Sequence, residues 1–258
     1  MKVVIFAGGL GTRISEETDT RPKPMVEIGG KPILWHIMKI YGSYGFNEFI
    51  ICLGYKGYVI KEYFMNYFLH NSDLTLDLEN NNVQFHSSNT EKFKVTLVET
   101  GLNTKTAGRL KAVQSYIGDE PFMLTYGDGL CDINLHELLA FHKKHGKIAT
   151  VTGIVLDARF GGMDLGEKGE VISFREKVKD ESKWINGGYF ILQPEVFKYL
   201  DGNMTDMMWE DEPLEKLTAD HQLQAYQHHG FWKCMDALRD KIELENLWQT
   251  GQAKWKTW

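Results

Sequence analysis

A repeated pattern constrains the fold of this chain more than any other feature: short apolar runs alternate with amphipathic segments, and glycine stands between many of them. The predicted strand at residues 2–7 is continuously apolar from Val3 to Ala7 and leads directly into glycine. Such uninterrupted runs are typical of parallel strands, because both faces of these strands are buried. Residues 32–45 then carry apolar side chains at helical spacing, with Pro32 at the start and Gly45 at the end. This spacing predicts a helix.

The same alternation continues to the end of the chain. It predicts further strands at 49–53, 95–98, 122–126, 148–156, 170–174, 188–192 and 222–227, helices at 58–69, 107–117, 135–145, 194–200, 211–219 and 236–248, and a hairpin at 74–85. Alternating strands and helices imply an α/β fold with a Rossmann-like, doubly wound, mostly parallel (mixed) sheet and inserted β elements. No linker is evident, so we predict a single domain over residues 1–258.

Composition excludes several classes of protein. With 258 residues and 43% hydrophobic residues, the chain can bury a core without a disulfide or metal staple. A net charge of −6 argues against a dedicated nucleic-acid binder. Cys52, Cys131 and Cys234 are far apart, which argues against a disulfide framework and favours a reducing, cytoplasmic compartment. We expect neither a signal peptide nor a membrane span, because no apolar run approaches the ~18–20 residues that a span needs.

The segment after the first strand, Gly8-Gly9-Leu10-Gly11-Thr12-Arg13, is a candidate phosphate-binding loop. Glycines let backbone N–H groups approach phosphate oxygens closely, and an arginine adds a bidentate donor. The dinucleotide fingerprint is excluded because Ile14 stands where its third glycine is required. The G-K-[ST] end of a Walker A loop is also missing. Taken alone, the loop could still be a plain turn.

Three charged residues elsewhere are candidates for the same site. Lys23 is held between Pro22 and Pro24, which keep it in an extended segment near the glycine loop. Asp128 follows a predicted strand, and Asp236 follows the aromatic pair Phe231-Trp232. One or two carboxylates plus substrate phosphates are the usual ligands of Mg²⁺. The alternatives are a solvated lysine, an aspartate that forms a turn and an aspartate that caps a helix.

These motifs resemble those of the sugar-phosphate nucleotidylyltransferase family, and the closest likeness is to members that transfer a cytidylyl group. The resemblance covers essentially the whole chain. The matching motifs are G-G-L-G-T-R at 8–13, P-K-P-M at 22–25, G-G-K-P-I at 29–33, K-T-A-G-R-L at 105–110, T-Y-G-D-G at 125–129, F-R-E-K at 174–177, I-N-G-G at 185–188 and G-F-W-K-C-M-D at 230–236.

The resemblance implies a fold of the nucleotide-diphospho-sugar transferase type and a defined reaction. CTP and α-D-glucose 1-phosphate would give CDP-glucose and pyrophosphate, with Mg²⁺ as cofactor. The sugar phosphate would attack the α-phosphorus directly, so that catalysis rests on positioning and charge neutralisation. The resemblance also implies a homo-oligomer and a place in bacterial O-antigen and lipopolysaccharide synthesis.

Roles for individual residues follow from the same resemblance. Catalysis is expected from Arg13, Lys23 and Asp128, and Mg²⁺ binding from Asp128 and Asp236. The nucleotide is expected to contact Ala7, Gly8, Gly9, Gly11, Thr12, Arg13, Lys23, Thr106, Arg109 and Asp128, with Thr106 and Arg109 on the cytosine. The sugar phosphate is expected to contact Glu176, Lys177, Asn186 and Gly188. Residues 1–130 would then form the nucleotide-binding half, and residues 131–258 the sugar-phosphate half with a C-terminal helix.

Several alternatives remain open at this point. Ala107 replaces a glycine of the family motif, which narrows the space near the base and leaves UTP and dTTP as possible substrates. Val178 follows Glu-Lys where a proline is frequent in the family, which leaves the sugar phosphate open. A non-catalytic nucleotide-sugar sensor would keep the same pocket. His142 and His145 lie three residues apart on a predicted helix, and we expect both at the surface.

Overall fold

The structure is a computed structural model that describes residues 1–88, 90–155, 162–165, 171–175 and 184–258. Its strands are β1 Lys2–Phe6, β2 Glu27–Ile28, β3 Lys31–Pro32, β4 Glu48–Leu53, β5 Ser72–Asp77, β6 Asn82–Ser88, β7 Lys94–Glu99, β8 Phe122–Tyr126, β9 Gly129–Cys131, β10 Ala149–Val155, β11 Gly162–Leu165, β12 Val171–Arg175, β13 Trp184–Leu192, β14 Leu223–His228 and β15 Trp232–Cys234. Its α-helices are α1 Ser15–Thr18, α2 Ile33–Ser43, α3 Gly57–Met65, α4 Tyr67–His70, α5 Thr106–Ala112, α6 Gln114–Ile117, α7 Leu135–His145, α8 Glu212–Ala219 and α9 Leu238–Gln249.

The central sheet has seven strands in the described part of the chain, in the order β14-β10-β13-β8-β1-β4-β7. Strand β1 pairs in parallel with β4 on one side and with β8 on the other. Strand β13 is antiparallel to both of its neighbours, β8 and β10. The predicted fold, a mostly parallel mixed sheet with inserted β elements, is confirmed.

The order of the strands fixes where a ligand can bind. From β1 the chain moves outward to β4 and β7, and then returns to place β8 on the other side of β1. In open α/β sheets a crevice forms beyond the carboxyl ends of the strands at such a reversal of direction. The glycine loop follows β1 and Gly127-Asp128 follows β8, so both segments meet at this crevice.

Alternate residues of the buried strands pack into separate clusters on the two faces of the sheet. Val3 and Ile5 face a cluster that includes helix α2 and the C-terminal Trp255, whereas Val4 and Phe6 face a cluster that includes helix α5. All four side chains are buried. This explains why β1 has no alternation of apolar and polar residues, since both of its faces lie in the core.

Helix α7 shows how local sequence sets the bounds of an element. The side chain of Asn134 accepts hydrogen bonds from the backbone N–H groups of His136 and Glu137, which caps the N-terminus. At the other end Gly146 adopts φ 67°, in the left-handed region that favours glycine after a helix. The helix therefore occupies residues 135–145, as predicted.

Three local predictions need correction. Lys23, predicted in an extended segment, begins a 3₁₀ helix, Lys23–Met25. The helix predicted at 194–200 is present, but it is a 3₁₀ helix, Pro194–Tyr199. His142 is not at the surface, because only 1% of it is exposed. Its Nδ1 lies 2.7 Å from Thr150 Oγ1, and its Nε2 lies 2.8 Å from Gln193 Nε2. Burial lowers the pKa of His142 to about 4, so its ring is neutral at physiological pH.

The described residues contain no helix that is both long enough and apolar enough to cross a membrane. Cys52, Cys131 and Cys234 are free thiols, and the first two are buried.

Candidate active site

A cleft of about 770 Å³ opens beyond the carboxyl ends of β1 and β8. The structure brings most of the predicted site residues together along its walls. Those residues are Ala7, Gly8, Gly9, Gly11, Thr12, Arg13, Lys23, Thr106, Arg109, Asp128, Asn186, Gly188 and Asp236. Two predicted site residues, Glu176 and Lys177, lie outside the described residues.

A short antiparallel ladder brings the two acids of the site together. Strands β9 and β15 pair so that Gly129 lies opposite Cys234. Asp128 comes directly before β9 and Asp236 comes two residues after β15, and the backbone N–H of Met235 donates to the carbonyl oxygen of Asp128 at 2.9 Å. Two carboxylates that are distant in the sequence therefore face the same point of the cleft.

That point is occupied by the ammonium group of Lys23. Its Nζ lies 2.7 Å from Asp128 Oδ2 and 2.7 Å from Asp236 Oδ1. The side chain of Lys23 is only 13% exposed. Arg13 approaches from the glycine loop, where its Nη1 lies 3.0 Å from Asp236 Oδ2. Two cations and two anions thus form one connected network at the mouth of the crevice.

The charges in this network stabilise one another. Burial alone would lower the pKa of Lys23, but the nearby charge of Asp128 and hydrogen bonds to both acids raise it above its ordinary value. Burial would likewise raise the pKa of Asp236, whereas Lys23 and Arg13 hold it below its usual range. At neutral pH, Lys23 is therefore a cation and Asp236 is an anion, the forms needed to contact phosphates and metal ions.

The buried side chain of Arg109 supports the glycine loop through hydrogen bonds. Its Nη2 donates to the carbonyl oxygens of Gly8 at 2.9 Å and Leu102 at 3.3 Å. Its Nη1 donates to the carbonyl oxygen of Leu53 at 2.8 Å and to Thr100 Oγ1 at 2.6 Å. Since each terminal nitrogen carries two hydrogens, all four Nη hydrogens have protein acceptors. A contact between Arg109 and cytosine stays a prediction, whereas its support of the loop is direct.

Thr106 is also held by the protein. Its hydroxyl donates to Glu210 Oε2 at 2.9 Å and accepts from the backbone N–H of Trp209 at 2.7 Å. The other carboxylate oxygen of Glu210 accepts from the hydroxyl of Tyr126. Glu210 and Tyr126 both line the cleft, and the sequence analysis missed them. Glu210 belongs to an acidic run just before α8, which resembles the acidic start of an ordinary helix, so its sequence context carries no signal for a site residue.

The structure corrects the expectation for Ala107. This residue is completely buried and belongs to the core cluster on the α5 face of the sheet, together with Leu110. Its N–H donates to the carbonyl oxygen of Met207 at 3.1 Å. Ala107 is absent from the described lining of the cleft. Its methyl group therefore fills the core and does not narrow the space for a base.

The opposite wall of the cleft is built from β13 and β15. Asn186 Oδ1 accepts from the N–H of Gly188 at 2.8 Å, which stabilises the bend in which Gly188 has φ 80°. The indole of Trp232 donates from Nε1 to the carbonyl oxygen of Gly187 at 2.7 Å. This bond links β13 to β15, the short strand that carries both Trp232 and Cys234. Both residues line the cleft, and neither was predicted as a site residue.

Comparison with known proteins identifies relatives of this chain. The sequence model of a family described as nucleotidyl transferase matches residues 2–245. A glucose-1-phosphate cytidylyltransferase from Salmonella typhi is 54% identical over 259 residues, which cover 100% of both chains. A probable glucose-1-phosphate cytidylyltransferase from Bacillus subtilis is 50% identical, again over 100% of both chains.

Solved structures agree on the fold. A UDP-glucose pyrophosphorylase in complex with UDP-glucose superimposes with a TM-score of 0.69 at 20% identity, covering 97% of this chain and 98% of the other. At this identity the likeness supports the architecture alone.

Proposed function

Since the chain belongs to the nucleotidyl transferase family, we propose that it converts CTP and α-D-glucose 1-phosphate into CDP-glucose and pyrophosphate. An oxygen of the sugar phosphate attacks the α-phosphorus of CTP. A new P–O bond forms there, while the bond from the α-phosphorus to the bridging oxygen breaks and pyrophosphate leaves with the electron pair. The observation that carries the proposal is the convergence of Lys23, Arg13, Asp128 and Asp236 beside the glycine loop.

The cations of the network suit the charge that develops in this reaction. Gly8, Gly9 and Gly11 present backbone to the nucleotide, and Thr12 and Arg13 stand at the start of a 3₁₀ helix within reach of a triphosphate. Lys23 is assigned to the α-phosphate, where an ammonium stabilises the negative charge on the non-bridging oxygens. Positioned charges of this kind lower the barrier without forming a covalent intermediate.

The residues present fit a bound Mg²⁺. Asp128 and Asp236 converge on a single cation, here the Lys23 ammonium, and carboxylate oxygens are hard ligands that Mg²⁺ accepts together with phosphates. We assign both acids as its ligands. When bound, the ion would neutralise phosphate charge and orient the triphosphate for in-line displacement.

The remaining assignments follow the geometry of the walls. Asn186 and Gly188, with the backbone of Gly187, are assigned to the sugar phosphate, and Glu176 and Lys177 keep the same assignment from the sequence. Residues 1–130 would form the nucleotide half and residues 131–258 the sugar half, although Asp236 reaches across to the nucleotide side.

We also propose the compartment of the enzyme, its assembly and the use of its product. The free, buried thiols of Cys52 and Cys131 support a reducing cytoplasm. The apolar side chains exposed on hairpin β5–β6, such as Leu78 at 87%, support a homo-oligomer. The expected use of the product is bacterial O-antigen and lipopolysaccharide synthesis.

A pyrophosphate-release assay tests the reaction. With glucose 1-phosphate and Mg²⁺, we expect release with CTP and much less with UTP, dTTP or GTP. Asp128→Asn and Lys23→Met should each lower kcat by about 10²-fold or more, because they remove charge that acts on the transition state. Lys216→Met is the control, since Lys216 pairs with Glu212 on α8 and does not line the cleft.

Two results would contradict these assignments. Nucleotide binding without pyrophosphate release from any of the four nucleotides would identify a sensor instead of an enzyme. A normal rate in either site variant would remove the role assigned to that residue.

A further inference from the structure

The ammonium of Lys23 lies where a metal ion shared by Asp128 and Asp236 would have to lie. Both N–O distances are 2.7 Å, which is a charge-assisted hydrogen bond to each acid. An ion that both carboxylates hold would overlap Nζ or sit against it. Lysine and metal therefore cannot share this position.

We propose that Lys23 is a place-holding cation: it occupies the metal position in the nucleotide-free protein and leaves it when the metal and the triphosphate enter. This inference rests on the metal assignment made under the proposed function. It adds a second task for Lys23, namely to keep the two acids together before substrate arrives.

The electrostatics of the acids explain why such a cation is needed. Asp128 and Asp236 approach the same atom from two sides, so without a cation between them their like charges would repel at short range in a partly buried site. Arg13 neutralises Asp236 only in part, because its side chain is largely exposed and contacts one oxygen. Lys23 contacts both acids and is the more buried of the two cations.

Lysine has the properties that an exchange requires. Its charge is a compact ammonium on a flexible four-carbon stem, so Nζ can move by rotation of the side chain while the backbone stays in place. The backbone of Lys23 is fixed by a 3₁₀ helix, Lys23–Met25, whose Pro24 and Met25 are buried. Rotation of the side chain can therefore move Nζ from the acids to a phosphate within the same cleft.

The exchange makes a quantitative prediction about metal affinity. If Lys23 occupies the position most of the time, only a small fraction of the nucleotide-free protein is competent to bind metal, and the apparent affinity falls by that fraction. A nucleotide that attracts Lys23 to its phosphates removes this competition. Metal and nucleotide then favour each other's binding, as reciprocal coupling requires.

The experiment measures binding of Mn²⁺, used as a paramagnetic substitute for Mg²⁺, to the nucleotide-free protein by electron paramagnetic resonance of the free ion. We expect Lys23→Met and Lys23→Gln to bind Mn²⁺ about tenfold or more tightly than the wild type. Lys23→Arg keeps a cation and should not bind more tightly. Lys216→Met removes the same charge from a lysine of α8 that pairs with Glu212, and it should stay within about twofold of the wild type.

The controls separate this inference from the metal assignment beneath it. Thermal melts establish that each variant is folded, and two neutral variants guard against failure of either one. Equal Mn²⁺ affinity in the wild type and the neutral Lys23 variants, with binding lost in Asp128→Asn, would overturn the place-holding role alone. An equal gain in Lys216→Met would also overturn it, because the effect would then be one of net charge. No Mn²⁺ binding by any folded variant would overturn the metal assignment as well.

Discussion

Replacing Gly8 by alanine tests whether Arg109 supports the glycine loop. A Cβ at residue 8 would fall on Nη1 and Cζ of Arg109, far inside van der Waals contact, and would lie 2.9 Å from Nη2. Arg109 is only 4% exposed and all four of its Nη hydrogens are bonded. The guanidinium must therefore leave some of its partners. Hydrogen bonds to charged groups contribute about 1.5–3 kcal/mol each, so the loss of one or two predicts destabilisation by about 2–5 kcal/mol.

A double-mutant cycle with Arg109→Met isolates this contact. Methionine removes the guanidinium but keeps much of the apolar stem, and the carbonyl oxygens of Leu53 and Gly8 retain other partners in the N–H groups of Thr100 and Tyr55. In the absence of the guanidinium, the new methyl group has room. We therefore expect the double variant to be more stable than the sum of the single changes predicts, by about 2 kcal/mol, in urea unfolding. Additivity to within about 0.5 kcal/mol would refute the reasoning.

Nucleotide preference in the same variants shows whether Arg109 supports the glycine loop or recognises the base. If Arg109 only holds the loop, Arg109→Met should weaken CTP and UTP binding by similar factors, because both share the triphosphate. If Arg109 reads the base, the ratio of the two affinities should change by about tenfold or more, since one good bidentate contact discriminates by about 1–3 kcal/mol. Isothermal titration with both nucleotides decides between these outcomes.

Three further predictions concern side chains around the core and the cleft. Because burial lowers the pKa of His142 from 6.5 to about 4, its neutral ring stabilises the fold fully above pH 6.5, and this contribution is lost as the pH falls toward 4. His142→Gln should therefore reduce the slope of unfolding free energy against pH by up to about 1.4 kcal/mol per unit in that window; an unchanged slope in urea titrations would contradict this. Glu210→Gln should raise KM, because Gln binds Thr106 and Tyr126 less strongly, and an unchanged KM for both substrates would remove Glu210 from the site. Cys234 should react slowly with iodoacetamide, because burial and the charge of Asp128 raise the pKa of its thiol. Since Cys234 lines the cleft, activity should fall in proportion to its labelling. Labelled protein with full activity, as measured by mass spectrometry and assay, would contradict this.

The sequence predicts what depends on local pattern. Strands such as β1 and β8 are recognisable because uninterrupted apolar runs require burial on both faces, and helix α7 is recognisable from its apolar spacing and from Gly146 beyond its end. Glycine at the ends of strands indicated where the crevice would form. These features involve residues within one or two turns of each other, and their physics does not depend on the rest of the chain.

What the sequence did not predict depends on pairing between distant segments. Strands β9 and β15 have three residues each, too few for a periodic signal, and yet their ladder joins Asp128 to Asp236. The bonds from Arg109 to the carbonyl oxygens of Gly8 and Leu53 likewise join segments that are distant in the sequence. His142 is buried because Thr150 and Gln193 supply partners for both ring nitrogens, which the spacing to His145 does not reveal.

The short ladder has a mechanical consequence for the site. Asp128 is tied to β8 through the central sheet, whereas Asp236 is tied to the C-terminal helix α9, because the side chain of Asp240 accepts from the backbone N–H groups of Asp236 and Ala237 at 3.1 and 2.9 Å. The distance between the two acids is therefore set by the β9–β15 pairing and by the cation between them. A loose ladder would let the acids separate, and an absent cation would drive them apart. The position of one metal-sized charge thus depends on contacts that span the sequence from Lys23 to Asp240. Substitutions that weaken the β9–β15 ladder or remove the Asp240 carboxylate should therefore change metal affinity before they change the affinity for the nucleotide base.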